Sequence, residues 1–258
     1  MPPASSRRAT VDFPDPAGPH MKTTRGMTAT LGRPASRTYS LAAFLTMRPP
    51  CQAVFMGVEP VVTGPWSPLS PAGVKVLLGG ADRPWLVAGG WAIDLFVGRQ
   101  TRRHADIDVL VLRADQQLIQ ERLHDWQIFA ADPPGTLRRW RPGETLPTSV
   151  HDIWCRENAE GPWRVQFMID DSDGSHWVSR RDPRIRMSLA DTRRVSPSGI
   201  PYLAPEVQLL YKSRSPRPKD EHDLHATIAH LGPAQRTWLH DAIALTSPTH
   251  PWLERLTS

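Results

Sequence analysis

The tightest constraint on this fold is the run Trp85-Leu86-Val87-Ala88-Gly89-Gly90, followed by Asp106-Ile107-Asp108-Val109-Leu110-Val111-Leu112. The apolar stretch 85–88 stops at a double glycine and has the length of a short buried strand. Residues 91–97 suit a short amphipathic helix. The second apolar stretch, 107–112, suits another strand, headed by two aspartates one residue apart. Residues i and i+2 of a strand point to the same face. The segment therefore reads as strand, glycine turn, helix, strand, with two carboxylates beside the turn.

That arrangement suits a divalent metal and a nucleoside triphosphate. Mg²⁺ takes hard oxygen ligands and is usually held by one or two carboxylates plus substrate phosphates. Paired ions can clamp the attacking and leaving oxygens of an in-line displacement. Gly89 and Gly90 let the backbone approach phosphate, and the helix that follows points its N-terminus at the same anion. An isolated Asp-X-Asp is most often two solvated acids. The double glycine, the interval and the flanking apolar residues set this one apart.

Gly-Gly, a helix and Asp-X-Asp on a strand resemble the nucleotidyltransferase superfamily related to DNA polymerase β. The longer string Gly89-Gly90-Trp91-Ala92-Ile93-Asp94, Gly98-Arg99, Thr101-Arg102, His104 and Asp106-Ile107-Asp108 is similar to its aminoglycoside 2''-adenylyltransferase-like branch. The close match spans residues 85–112; the rest fits in outline. The resemblance implies an α/β (α+β) fold, a mixed sheet with flanking helices and a small C-terminal helical domain. It implies an enzyme that moves a nucleoside monophosphate from a triphosphate, expected to be ATP, to a hydroxyl. The cofactor would be Mg²⁺ and the acceptor a small molecule, with aminoglycosides as candidates.

The resemblance also implies a third carboxylate on a strand beside the Asp-X-Asp strand. In the expected strand 165–170, Gln166 stands where an acid would be natural. Asp170 shares its face four residues on, and Asp152 on the preceding strand is the other choice. The expected catalytic acids are Asp106, Asp108 and Asp170, with Asp152 second; Asp106, Asp108 and Asp170 are the expected metal ligands. Gly89, Gly90, Arg102, Lys212 and Lys219 are the expected phosphate contacts, the lysines offsetting charge on the triphosphate or pyrophosphate. His104 is expected to brace the loop that delivers Asp106, and Asp94 to pair with an arginine. The spacing of His222, Asp223 and His225 does not suit a zinc site. Some of Trp126, Trp140, Trp154, Trp163 and Trp177 are expected in the core, and others would stack on a sugar or ring. Glu144, Asp152, Glu157, Glu160, Asp170, Asp171 and Asp173 would offer a carboxylate-lined cleft to a cationic acceptor.

Charge is uneven along the chain. The whole carries +5, but residues 1–65 hold seven Lys/Arg and three Asp/Glu, which leaves 24 basic and 23 acidic residues for the remainder. A near-neutral globular part gives no support to a nucleic-acid partner. No apolar run is long enough to span a membrane. Cys51 and Cys155 form neither a disulfide framework nor a zinc spacing, which favours a reducing cytoplasm.

Three regions follow. Residues 1–65, punctuated by Pro14, Pro16, Pro19, Pro34, Pro49, Pro50, Pro60 and Pro65, read as a disordered tail, with Met56 as a candidate start. Residues 66–204 read as the nucleotidyltransferase domain. Their expected elements are a helix over 71–78, strands over 85–88 and 107–112, a helix capped by Asp115 running to Trp126, a strand over 127–130, and a hairpin of 150–156 with 163–169. Residues 205–258 read as a helical domain, with helices over 205–212, 219–231 and 233–245. Two rival readings remain: a toxin–antitoxin-type enzyme acting on RNA or protein, and a degenerate nucleotide-binding module, favoured by Gln166. Deleting residues 1–55 is expected to leave melting temperature and nucleotide affinity nearly unchanged; a large fall in either would show that the tail packs on the domain.

Overall fold

The computed structural model describes residues 64–257. The expected tail up to residue 63, with Met56 and Cys51, lies outside the described residues. Helix α1 (Pro71–Leu77) starts where Ser70 accepts from the Gly73 amide at 3.1 Å, with proline in its first turn. Strand β1 (Trp85–Ala88) is wholly buried and leads straight into α2 (Gly89–Val97), which ends at left-handed Gly98. Strand β2 (Asp108–Leu112) is also buried throughout.

Next come a 3₁₀ turn (Arg113–Asp115) and α3 (Gln117–Arg122). This helix is shorter than expected, and Asp115 does not cap it. The Gln116 side chain instead donates to the Arg113 carbonyl and accepts from the Leu146 amide, tying the helix entry to a distant loop. Strands β3 (Gln127–Ala131), β4 (Leu137–Arg139), β5 (Asp152–Arg156) and β6 (Val165–Ser172) follow. Then come β7 (His176–Val178), β8 (Arg186–Ser188), α4 (Leu189–Thr192), β9 (Arg193–Val195) and β10 (Pro201–Leu203). The chain closes with α5 (Pro205–Ser213), α6 (Pro218–Ile228), α7 (Pro233–Thr246) and α8 (Trp252–Thr257).

The strands form one mixed sheet in the order β4-β3-β5-β6-β2-β1-β10-β9, with β7 and β8 extending from β6. The pairs β2–β6 and β1–β10 are parallel; the other pairings are antiparallel. This is the expected fold class. One face of the sheet carries Asp108, Leu110 and Leu112 of β2 beside Gln166, Met168 and Asp170 of β6. On β5 the same face carries Trp154, opposite Gln166, and Asp152, opposite Met168.

Helix α5 packs on α2, α6 and α7. Side chains such as Val87, Ile93, Val109, Phe167, Ile169, Val207 and Leu209 are fully buried. Each contributes about 1.5–3 kcal/mol when removed from water. Phe129, Leu137, Trp154 and Trp163 form a second apolar cluster, joined by Trp66. Of the five tryptophans named from the sequence, Trp140, Trp154, Trp163 and Trp177 are buried in packing, as expected of some, and Trp126 is half-exposed. No helix among the described residues is long and apolar enough to cross a membrane.

Candidate active site

The turn between β1 and α2 is built around Gly89. Its φ of +64° lies in the left-handed region, and a Cβ there would collide with the Asp108 carboxylate. At Gly90 a Cβ would strike Arg102 and His104. Both positions need glycine because other side chains occupy that space. The Gly89 amide, however, is taken: it donates to Gln208 Oε1 of α5 at 2.7 Å. Gly89, expected among the phosphate contacts, thus shapes the turn while its own N–H is engaged by Gln208. The N-cap residue of α2, Ala88, provides no side-chain acceptor, so an anion can meet the first-turn amides. Gly89→Ala is expected to lower nucleotide affinity at least about tenfold, because both strain and the clash displace Asp108. Unchanged affinity in a calorimetric titration would refute this reading of the turn.

Asp106 and Asp108 lie together at the head of β2. Asp108 is buried, and its pKa rises to about 7 because burial and the neighbouring Asp106, with a smaller push from Asp152, disfavour its charged form; Lys212 and Lys219 act in the opposite direction. The carboxylates outweigh the cations at this point. A site of this kind gains from a divalent cation, and oxygen donors suit Mg²⁺. Among the described residues no group of three His, Cys, Asp or Glu side chains forms a metal cage by itself, so Mg²⁺ would draw its other ligands from water and phosphate.

Lys212 is buried within an alternating chain of charges. Its ammonium lies 3.2 Å from Asp220 and 2.9 Å from Asp223. Asp223 is grasped by Arg102 through two bonds of 2.7 and 2.9 Å, and Asp220 by Arg217 at 2.7 Å. Arg102 thus holds α6 against the loop before β2, and its guanidinium is engaged with protein rather than standing free for phosphate. Lys219 is exposed and makes no ion pair among the described residues. No motif assigns Gln208 a role; it and Asp223 bond to Gly89 and Arg102, about 120 residues away in the chain, beyond any local pattern.

His104 does brace the loop. It meets Asp94 at 2.5 Å, and its ring lies 4.4 Å from that of Trp91. Asp94 also accepts from the Thr101 amide and hydroxyl at 3.0 and 2.6 Å. Its partners are therefore a histidine and a threonine, not the expected arginine.

The register separates Asp170 from the acid pair. Asp170 is the partner of Leu112, four residues along β2 from Asp108. At a rise of about 3.3 Å per residue that is roughly 13 Å, too far for a metal shared with Asp108. Instead its Oδ2 accepts from Trp177 Nε1 at 2.6 Å and from the Tyr211 hydroxyl, pinning β7 and α5 to the sheet. Burial raises the pKa of Asp170. Asp152, the second choice, faces the pair from β5 and accepts from Gln166 Nε2 at 3.0 Å. Four of the acids named for a carboxylate-lined cleft are engaged by arginines. Glu144 pairs with Arg138, Glu157 with Arg164, Asp171 with Arg113 and Asp173 with Arg186.

A profile of the aminoglycoside-2''-adenylyltransferase family matches residues 72–227, which contain β1 through most of α6 and every residue of the acid and lysine cluster. The chain belongs to this family. It is accordingly a nucleotidyltransferase. No curated protein matches the chain. Similar solved structures are remote. ANT(2'')-Ia in complex with adenylyl-2''-tobramycin is 14% identical over 69% of this chain and 98% of that one, with a TM-score of 0.44. The lincosamide antibiotic adenylyltransferase LnuA, bound to lincomycin, is 18% identical over 61% and 94%, with a TM-score of 0.43. An antigenic nucleotidyltransferase-like protein from Paracoccidioides brasiliensis is 18% identical over 74% and 94%, with a TM-score of 0.39.

Proposed function

We propose that this enzyme adenylylates a hydroxyl of a small antibiotic of the aminoglycoside type, using Mg²⁺ and ATP. The observation that carries the reading is the buried Asp108, with Asp106 beside it and a lysine pair opposite, at the uncapped start of α2. Asp106 and Asp108 would hold Mg²⁺, which when bound supplies charge neutralisation to the phosphates. The first-turn amides of α2 around Gly90 meet phosphate oxygens, and the exposed ammonium of Lys219 reaches the departing end of the triphosphate. Lys212, fixed by Asp220 and Asp223, counters charge at Asp108 rather than moving with substrate.

Asp152 replaces Asp170 as the third acid. The acceptor oxygen attacks the α-phosphorus, and its proton passes to the Asp152 carboxylate. The bond from the α-phosphorus to the bridging oxygen breaks, and pyrophosphate leaves with that electron pair. Positioning and electrostatics supply most of the acceleration. Asp170→Asn is expected to keep turnover within about threefold, because an amide oxygen still accepts from Trp177 and Tyr211. Asp152→Asn is expected to lower it about 100-fold, the usual scale for a lost general base. Equal losses in the two variants would undo this assignment.

We read residues 66–204 as the catalytic domain and 205–258 as a helical domain that carries the lysines to it. We read the reaction as cytoplasmic, in line with the cysteine usage. The deciding experiment measures pyrophosphate release from each nucleoside triphosphate with tobramycin or lincomycin as acceptor. Release from ATP with tobramycin is expected. Binding of Mg²⁺·ATP without release on either acceptor would favour the degenerate nucleotide-binding module.

A further inference from the structure

Between the acid pair and Asp152 stands an uncharged side chain. Gln166 on β6 is the direct partner of Asp108 on β2, and it is 6% exposed. Its Nε2 donates to Asp152 Oδ1 on β5 at 3.0 Å. Three neighbouring strands therefore present carboxylate, amide and carboxylate across one face. We infer that Gln166 is a positioning residue, which fixes Asp152 as the proton acceptor and keeps it out of the metal's coordination shell. The inference rests on the reaction proposed above.

Two distances support it. Gln166 is one strand from Asp108, about 4.8 Å between backbones. Asp152 is two strands across and two residues along, roughly 12 Å by the same spacings. Mg²⁺ bonds of about 2.0–2.1 Å do not bring carboxylates that far apart onto one ion without moving a strand. An acid at position 166, level with Asp108, would be close enough to share an ion with it, whereas the amide at that position is turned to Asp152. Its bond to a charged acceptor is the stronger kind and sets the carboxylate's plane. The alternative is that Gln166 merely satisfies a buried polar position. In that case its loss would affect stability and nucleotide binding alike, with no selective effect on the chemical step.

The test uses Gln166→Met, which keeps the side chain's length and removes the donor, together with Asp152→Asn and Gln166→Asp. Turnover is read as pyrophosphate release from Mg²⁺·ATP with tobramycin, and affinity by calorimetry with Mn²⁺·ATP. For Gln166→Met, kcat should fall about 10- to 100-fold, while KM for ATP and the calorimetric affinity stay within about twofold. Asp152→Asn should leave Mn²⁺·ATP affinity within about twofold. Gln166→Asp, with a carboxylate next to Asp108, should tighten it at least about fivefold. An unchanged kcat in Gln166→Met overturns the inference. So does a tenfold loss of Mn²⁺·ATP affinity in Asp152→Asn, which would make Asp152 a metal ligand. If the unmodified protein releases no pyrophosphate, the proposed reaction falls; the affinities of Asp152→Asn and Gln166→Asp then still decide where Asp152 stands. They decide equally if Gln166→Met does not fold.

Discussion

Asp108→Asn is expected to abolish Mg²⁺-dependent nucleotide binding and turnover while making the metal-free protein more stable at pH 8. The two effects share one cause. In the fold the Asp108 carboxyl titrates near 7 instead of its ordinary 3.8, because burial and Asp106 oppose its charge. Between those values the native state holds a proton that the unfolded chain has lost. Stability therefore falls as pH rises from about 4 to about 7, and the penalty is complete above that range. Asparagine has no charge to bury. Its variant should melt higher than the parent at pH 8 in a chelator, by roughly 2–4 °C for each kcal/mol relieved, and the difference should vanish below pH 4. Without the charge the site has lost the ligand that Mg²⁺ requires, so catalysis goes with it. A variant that melts lower at pH 8, or turns over at the parent rate, contradicts the argument.

Asp223→Ala is expected to be the most damaging single change to stability. Asp223 is fully buried and is held by both Arg102 and Lys212. Removing one member of a buried ion network leaves the others uncompensated, typically at a cost of about 3–5 kcal/mol. For a protein of this size the melting temperature should drop by roughly 10 °C. Asp82→Ala offers the contrast. That residue pairs with Arg83 at 3.1 Å but is largely exposed, and water screens the pair. Its loss should leave the melting temperature nearly unchanged. Thermal melts of the two variants side by side would test the ranking, and similar shifts would mean that the buried network is not holding α6.

Much of the site is legible in local pattern. The strand expected over 85–88 is β1, and the one over 107–112 differs from β2 by a single residue. The helices expected over 205–212, 219–231 and 233–245 correspond to α5, α6 and α7 with small shifts at their ends. Such segments carry a clear apolar period and a proline or glycine at a boundary. Strands β7, β8, β9 and β10 were missed because each is three residues long, too short for a period to emerge. The third acid shows a different shortfall. A two-residue period tells which side of a strand a residue faces, but not which row of the sheet it occupies. Gln166 and Asp170 do share a face, as read. Pairing with β2 puts only Gln166 level with Asp108. Asp152, the other choice named from the sequence, lies on that face through the β5–β6 register, which no inspection of one strand reveals.

The return of the chain to β1 has a consequence for synthesis. Strand β1 is joined on one side by β10, more than a hundred residues later, and the Gly89 amide finds its acceptor on Gln208 immediately after that strand. Asp108, Asp152 and Lys212 likewise come from the beginning, middle and end of the described fold. At ribosomal rates of about 5–20 residues per second, several seconds separate the emergence of β1 from that of α5. During that interval the nascent chain carries its acids without their buried lysine and without the helix that closes the glycine turn. The lysines and the aspartates that fix Lys212 join the acid pair only when α5 and α6 have both docked.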